Sequence, residues 1–404
     1  MVTVPHACAK NFEALMILQP LAPGVAWRPR AIFALLLGYL ALFGVLVGAQ
    51  GVLWAEIIRA LTLSKAQFGA AQLLGPLLSV GLLMVGAQLV HWFGKKTLAI
   101  TALFLLAASN ALLALAGDLS MLIVALLLTG AGAALLETAA NSATLDWEQL
   151  TGRSVMNLLH AGFSAGAVLG AFAAGLMLGQ GLGYPVVLFA LAGLCGVVLL
   201  FSLPARFPPA DTAAQESPGP LATLRLLFSQ RAMLILAALC VMGVVGESVA
   251  NLWSVIYLRE LGADALLGGA AFALFNGAMF AGRMMNAWVV RRWSVRVSLL
   301  LSGAGLVLAN VLLAGGLWFA VAAFMLMGLA VAGIVPTVLS AGARLAPGRS
   351  ALVTGGIMSV AYTGFIVIPP VTGWVADSIS LRAALLTVGL SGVAVLALAR
   401  RLRV

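Results

Sequence analysis

Long apolar runs separated by short polar connections dominate this chain, and their spacing predicts its architecture. The runs lack the alternation of apolar and polar residues that strands of a transmembrane barrel show. A helical crossing of a bilayer core needs about 20 apolar residues, and hydrocarbon offers no water to open backbone groups. The pattern therefore predicts twelve transmembrane helices, at residues 31–58, 66–90, 97–116, 121–145, 153–178, 182–203, 230–258, 266–290, 297–314, 317–343, 350–376 and 381–399.

Composition supports an all-α membrane protein. Hydrophobic residues make up 63% of the 404 positions and charged residues only 8%, against about 25% charged in soluble domains. The net charge of +10 comes from short basic clusters between the apolar runs and not from a patch suited to nucleic acid. The three cysteines form no metal or redox motif. We expect a lipid bilayer as solvent, no nucleic-acid partner, no bound metal and no cofactor.

The distribution of Lys and Arg predicts orientation, because cytoplasmic connections carry an excess of basic residues. If the N-terminus is cytoplasmic, seventeen Lys and Arg fall on the cytoplasmic side and four on the other, with Arg283 near a membrane end. The four are Arg59, Lys65, Arg259 and Arg382. We expect a multi-pass protein of the bacterial inner membrane with both termini in the cytoplasm.

The only extended polar stretch, residues 204–229, divides the chain into two halves. The halves are weakly similar at an offset near 200 residues: Leu53-Trp54 with Arg59 is echoed by Leu252-Trp253 with Arg259. The pattern predicts a cytoplasmic tail at 1–29, a six-helix bundle at 30–203, a linker at 204–229 and a second six-helix bundle at 230–404. Two repeats of the same orientation are typical of one large class of transporters.

Polar side chains within the apolar runs are few, and each needs a reason because ionisable groups in hydrocarbon are costly. Glu137 with Asn141, and Glu247 with Asn251, are spaced to share one helix face. The other candidates are Gln50, Asn157, His160 and Asn276. Either these residues bind a solute and protons on a central path, or they form hydrogen bonds between helices that serve packing.

Two tryptophans and a row of glycines within the apolar runs also carry structural information. Trp54 and Trp253 lie toward the ends of their runs, where sugar stacking and anchoring at the membrane interface are both open. Gly162, Gly166 and Gly170 put small residues on one face of the fifth segment, which predicts a close helix contact there.

One passage carries a family resemblance. Leu136-Glu137-Thr138-Ala139-Ala140-Asn141, followed by Arg153 and Asn157, resembles the fucose–proton symporter branch of the major facilitator superfamily. The resemblance implies that Glu137 belongs to a sugar and proton site, with Asn141 on the asparagine of the motif. Residues 333–336 and 364–373 are similar to uncharacterised bacterial relatives of the same branch.

Two departures from the family pattern affect the expected site. Gly51 stands where the fucose symporter has an aspartate in its first helix, and Glu247 is the candidate to replace that group. The family signature between helices two and three survives in part as residues 87–96, with His91 at its aspartate position. We therefore assign gating to His91, Gly94 and Lys95, together with Arg283.

The sequence predicts a secondary active transporter that moves a small polar solute, sugar- or polyol-like, by alternating access. We expect proton coupling through Glu137, and a monomer. The alternative is a proton-driven efflux pump for an amphipathic compound. A membrane enzyme or sensor is a remote alternative, because the sequence has no zinc motif of the HExxH type and no nucleophile–base constellation.

Overall fold

The computed structural model describes residues 29–152, 155–207, 230–345 and 350–402. The predicted twelve-helix architecture is confirmed, since twelve helices in these ranges are long and apolar enough to cross a membrane. Most of the predicted tail and linker lies outside the described residues. The spans are α1 Pro29–Ala60, α2 Lys65–Met84, α3 Gln88–Leu115, α4 Leu119–Thr151, α5 Leu158–Gly179, α6 Tyr184–Ser202, α7 Arg231–Glu260, α8 Ala265–Arg292, α9 Val295–Gly315, α10 Leu317–Gly342, α11 Gly356–Ser378 and α12 Leu381–Arg401.

Short polar residues fix where several helices begin. The Asp118 side chain accepts a hydrogen bond from the backbone N–H of Met121 at the start of α4, and Asp264 does the same for Leu267 in α8. Such caps satisfy backbone donors that have no partner within the helix. Hydrogen bonds from the Ser120 hydroxyl and the Met121 N–H hold the pKa of Asp118 below its usual value.

Three helices depart from the predicted bounds or from regular geometry. The second helix ends at Met84 and not at residue 90, because Val85 leaves the helical conformation. Regular helix then starts again, but Gly94 interrupts it with φ 76° and ψ 153°, a conformation that glycine adopts without strain. The tenth span consists of two helices, Leu317–Val331 and Ile334–Leu345.

The row of glycines in α5 packs directly on α1, as the sequence predicted. A Cβ atom on Gly166 would lie 2.1 Å from the carbonyl oxygen of Ala41, and one on Gly170 would lie 2.1 Å from that of Val45. No other residue fits at either position without moving backbone. The first half is therefore held together by a close contact between these two helices.

The ends of the bundle can be distinguished by the residues that meet there. At one end, Trp147 donates to the carbonyl oxygen of Pro29 at 3.0 Å, and Lys96 donates to that of Leu203 at 2.5 Å. We call this the proximal end, because α1 begins and α12 ends there. The opposite end, where α1 and α7 finish, is called the distal end.

The two halves touch through equivalent pairs of helices near the distal end. A Cβ on Gly269 of α8 would lie 2.7 Å from the Cα of Gly175 in α5. A Cβ on Gly373 of α11 would lie 3.2 Å from the Cα of Gly69 in α2. Helices α5 and α11 occupy corresponding places in the two halves, as do α2 and α8. The contact between the halves therefore repeats itself across an approximate two-fold axis.

Candidate functional site

Glu137 lies on the wall of a cavity between helices of the first half. The cavity has a volume of about 140 Å³ and is lined by Tyr39, Leu40, Phe43, Leu136, Glu137, His160 and Phe163. Helices α1, α4 and α5 supply these residues. Apart from Glu137, His160 and the Tyr39 hydroxyl, the lining is apolar, so the carboxylate is the main acidic group that a molecule in this cavity meets.

The Glu137 side chain is half-buried and forms no hydrogen bond or ion pair in the described part of the chain. Asn141, one turn further along α4, is also half-buried, and among the described residues it too forms no hydrogen bond. The Tyr39 hydroxyl on the same cavity wall is occupied, because it donates to Ser202 at 2.8 Å. The acceptor oxygens of Glu137 are therefore available to a solute or a proton.

Arg283 of α8 connects the polar residues of the two halves. Its Nη1 donates to Ser164 Oγ of α5 at 3.4 Å. Its charge acts on His160 of α5 and on Glu247 of α7, which places all three close together. Arg283 thus lies near the central polar residues of both halves, and its assignment to gating stays a prediction.

Tyr362 of α11 is a site residue that the sequence reasoning missed. The carboxylates of Glu137 and Glu247 both lie near enough to act electrostatically on its phenol group. This tyrosine thus lies near one acidic residue of each half. A hydroxyl group within an apolar run was the available signal, but tyrosine is common in helix packing and the residue did not stand out.

The remaining polar candidates differ in how they are used. Gln50 of α1 is buried, and its Nε2 has no partner in the described residues. Asn276 of α8 is buried and donates from Nδ2 to the Phe272 carbonyl at 2.9 Å, within its own helix. Asn251 of α7 is half-buried. The Asn157 side chain lies outside the described residues. Only Gln50 among these carries a buried amide in need of an acceptor.

At position 51, where the sequence has glycine in place of an acidic residue, the structure leaves no room for a side chain. A Cβ on Gly51 of α1 would lie 2.2 Å from the ring of Phe272 in α8. Phe272 is buried and stacks on Phe275 with ring centroids 5.8 Å apart. The space that an aspartate side chain would need is therefore filled from the opposite half.

Ion pairs between the halves close the distal end. Arg259 of α7 contacts Glu56 of α1 with 2.7 Å between Nη2 and Oε1. The other oxygen of Glu56 pairs with Arg59 at 2.9 Å. One carboxylate thus joins the last turns of the two equivalent helices α1 and α7.

A second set of polar contacts joins α2 to the second half. Lys65 pairs with Glu260 at 2.5 Å. The Asp377 carboxylate of α11 accepts hydrogen bonds from the backbone N–H groups of Lys65 and Ala66, at 2.9 and 2.8 Å. Because these are the first N–H groups of α2, the carboxylate also interacts favourably with the helix dipole. In the described ranges, every ion pair between the halves lies at the distal end.

The predicted gating residues of the first half lie at the proximal end. His91 is exposed, and the φ of 76° at Gly94 turns the chain so that Lys95 points inward. Lys95 is buried and pairs with Asp146 of α4. The basic residue of this motif thus finds its carboxylate on another helix of the same half, while His91 takes no part.

Both candidate tryptophans are buried inside the bundle and do not anchor at the lipid interface. Trp253 is fully buried and donates to the hydroxyl of Thr372 at 2.8 Å, between α7 and α11. The ring of Phe68 packs against both indoles, with centroids 5.4 Å from Trp54 and 5.9 Å from Trp253. The three rings form an apolar plug between the halves near the distal end.

Comparison with known proteins agrees with this architecture. The model of the Major Facilitator Superfamily matches residues 31–315 and 257–404. An uncharacterised transporter of Sinorhizobium fredii is 28% identical in an alignment of 273 positions, which covers 64% of this chain and 68% of that protein. A variant of the nucleoside transporter NupG superposes with a TM-score of 0.80 at 14% identity, over 92% of this chain and 98% of that one.

The fucose:proton symporter of Escherichia coli also shares the fold. It superposes with a TM-score of 0.60 at 19% identity, and the match covers 92% of this chain and 98% of the symporter. At such identities a structural likeness establishes the fold alone.

Proposed function

This chain belongs to the major facilitator superfamily of transporters, and on that premise we propose that it moves a small polar solute, sugar- or polyol-like, by secondary active transport. It works as a monomer in the bacterial inner membrane, with both termini in the cytoplasm. The proton gradient drives solute transport, and Glu137 is the residue that binds and releases the coupled proton. In the closed-distal conformation described above, solute exchanges with the proximal side, and breaking the distal contacts opens the other side.

The observation that carries this proposal is the unpartnered carboxylate of Glu137 on the cavity wall. An ionised acid within a membrane span costs about 2.5–3.5 kcal/mol on insertion scales. Glu137 therefore takes up a proton, or contacts a partner, during part of the transport cycle. The titratable and charged groups that face the same space are His160, Tyr362, Glu247 and Arg283. A proton that enters with the solute from one side leaves Glu137 toward the other.

The substitution Glu137→Gln tests the coupling, because it keeps the shape and removes titration. One coupled proton allows about tenfold accumulation for each unit of pH gradient. We expect Glu137→Gln to lose that accumulation in proteoliposomes and to retain solute counterflow in part. Glu137→Ala, which also removes the acceptor oxygens, should lose both activities.

Two further variants make the result interpretable. Glu216→Gln, in the predicted linker, is the matched control and should accumulate solute as the wild type does. Glu247→Gln tests whether the second carboxylate replaces the acidic residue missing at Gly51. If it does, this variant should show a defect in accumulation similar to that of Glu137→Gln. Full gradient-driven accumulation by Glu137→Gln would show that this carboxylate serves packing, and the coupling proposal would be wrong.

One observation favours the efflux alternative. The cavity at Glu137 is lined mainly by apolar and aromatic side chains, among them Phe43 and Phe163, as suits an amphipathic compound. The direction of transport separates the two functions. Everted vesicles of an efflux pump would accumulate dye or drug upon acidification of their interior, whereas right-side-out vesicles of an importer would accumulate polar solute upon acidification of the outside.

A further inference from the structure

Arg283 carries a fixed positive charge in the centre of the protein without an acidic partner. It forms no ion pair with any carboxylate of the described residues, and its side chain is exposed. The hydrogen bond that it donates to Ser164 Oγ is long at 3.4 Å. Most of the five N–H donors of the guanidinium therefore remain free for another molecule.

Packing does not account for this residue. A charged arginine within a span is costly, and such residues are commonly paired with an acid or a carbonyl group. Arg259, at the distal end of the same protein, is an example of a paired arginine, because it contacts Glu56 at 2.7 Å. Arg283 instead has an exposed side chain whose planar donor fork contacts no carboxylate of the described residues, an arrangement that suits a carboxylate approaching from solution.

The neighbours of Arg283 strengthen this assignment. Glu247 lies near enough to interact electrostatically with Arg283, yet the two form no ion pair, so Glu247 leaves the donors of the guanidinium free. His160 approaches from the opposite half and supplies a second nitrogen that can donate a hydrogen bond. Glu137 lines the same cavity as His160, and Tyr362 lies near both Glu137 and Glu247. The polar cluster thus combines basic groups that can bind a carboxylate with an acidic group that can accept hydrogen bonds from hydroxyl groups.

We infer that the transported solute is a hydroxylated carboxylic acid of the sugar-acid type. Its carboxylate binds the Arg283 guanidinium through two parallel hydrogen bonds and receives a further one from His160. Its hydroxyl groups donate to Glu137. This inference rests on the proposed transport function and narrows its substrate class. A solute bound in this way touches both halves, so binding favours the conformation in which they approach each other.

The test uses matched pairs of probes that differ in a carboxylate, with the purified full chain in detergent. The pairs are gluconate with sorbitol, and glycerate with glycerol. A ligand that binds the folded state raises its melting temperature in proportion to affinity and concentration. We expect at least one acid to raise the melting temperature and its neutral counterpart to have no effect at the same concentration. Failure of both acids would overturn the inference.

Two substitutions locate the binding group. Arg283→Lys keeps the charge but loses the fork, and we expect the acid to bind about tenfold to a hundredfold more weakly. Arg283→Gln should abolish the preference for the acid. Arg291→Gln, at the exposed end of the same helix, is the control and should bind as the wild type does. Unchanged acid binding by both Arg283 variants would overturn the inference.

The outcomes for the solute and for coupling can be told apart. If proton-driven accumulation of a neutral polyol requires Glu137 and survives Arg283→Gln, the inferred substrate class is wrong and the proposed function stands. If gluconate binds through Arg283 and the uptake of gluconate is independent of the pH gradient, the inferred substrate class stands and the proposed proton coupling is wrong.

Discussion

Position 51 of α1 faces the ring of Phe272 across the boundary between the halves. Phe272 cannot turn away easily, because it is buried and stacked on Phe275. Any side chain at position 51 must therefore displace the ring or separate α1 from α8. The loss of an acidic residue here and the presence of a bulky ring opposite are two aspects of one packing arrangement.

Gly51→Ala should destabilise the closed-distal conformation by about 1–3 kcal/mol, the usual cost of overpacking. Opening of the distal end can be followed by the reactivity of a cysteine introduced with Ala263→Cys. Position 263 lies at the distal end and is buried, so a thiol there is accessible to reagents only when that end opens. In a background without Cys8, we expect Gly51→Ala to speed maleimide labelling of that cysteine.

The controls for Gly51→Ala lie on the same helix and on the opposing ring. Gly38→Ala should leave labelling unchanged, since a Cβ there meets nothing within 4 Å. Phe272→Leu combined with Gly51→Ala should restore slow labelling. Equal labelling in wild type and Gly51→Ala would mean that the ring accommodates a methyl group without opening the distal end.

At the residue level the sequence predicted part of the central cluster. Glu137, Glu247 and His160 stood out because charged or titratable groups are rare in apolar runs, and the structure gathers them. Tyr362 did not stand out, since a tyrosine hardly changes hydropathy. The neighbours of Arg283 could not be predicted, because a count of basic residues says where charge lies along the chain and nothing about which residues surround it.

At the level of elements, hydropathy predicted all twelve spans but not the breaks within them. Whether a span bends depends on its neighbours. The end of α2 at Met84 and the division of α10 after Val331 leave no mark in a run of apolar residues. The glycines that allow the halves to touch were visible in the sequence, but their partners lie about a hundred or more positions away and only the fold pairs them.

The contact of α5 with α8 predicts that distal closure depends on Gly175 and Gly269. A valine at either position would meet backbone of the other helix, since even a Cβ approaches within 3.0 Å. We expect Gly269→Val to hold the distal end open. Spin labels at Leu182 and Leu261, in connections of different halves, should then show a longer distance by pulsed electron paramagnetic resonance.

The two-fold relation makes a second pair a test of the first. Gly373→Val, in the equivalent contact of α11 with α2, should lengthen the same distance. Gly193→Val is the control, because a Cβ at this exposed position of α6 meets no atom within 4 Å. A wild-type distance in both glycine variants would show that the helices shift past each other without separating.

For the whole molecule, closure at the distal end rests on several weak contacts in place of one strong one. Exposed ion pairs contribute about 0–1 kcal/mol each, so Lys65 with Glu260 adds little alone, and Arg259 with Glu56 is a half-buried pair beside it. Together with the glycine contacts they reach the few kcal/mol that typically separate two conformations of a protein. Such a closure is strong enough to select one state and weak enough for ligand binding to reverse it.

The orientation of this assembly in the membrane is the last prediction. Three of the four basic residues on the distal side, Arg59, Lys65 and Arg259, are paired with carboxylates. Arg291 and Arg292, on the proximal side, are exposed and form no ion pair within the described residues. Since exposed basic connections stay in the cytoplasm, the proximal end should be cytoplasmic.

Reporter fusions test that orientation directly. Alkaline phosphatase, which is active only outside the cytoplasm, should be inactive when fused after Pro218 or Val404 and active when fused after Gly117, in the distal connection between α3 and α4. A fluorescent protein that matures only in the cytoplasm should give the reverse pattern. Phosphatase activity at Pro218 or at Val404 would contradict an even number of crossings with both termini inside. If both of these fusions are active and the Gly117 fusion is inactive, the distal closure faces the cytoplasm, and the direction assigned to the proton and solute paths has to be reversed.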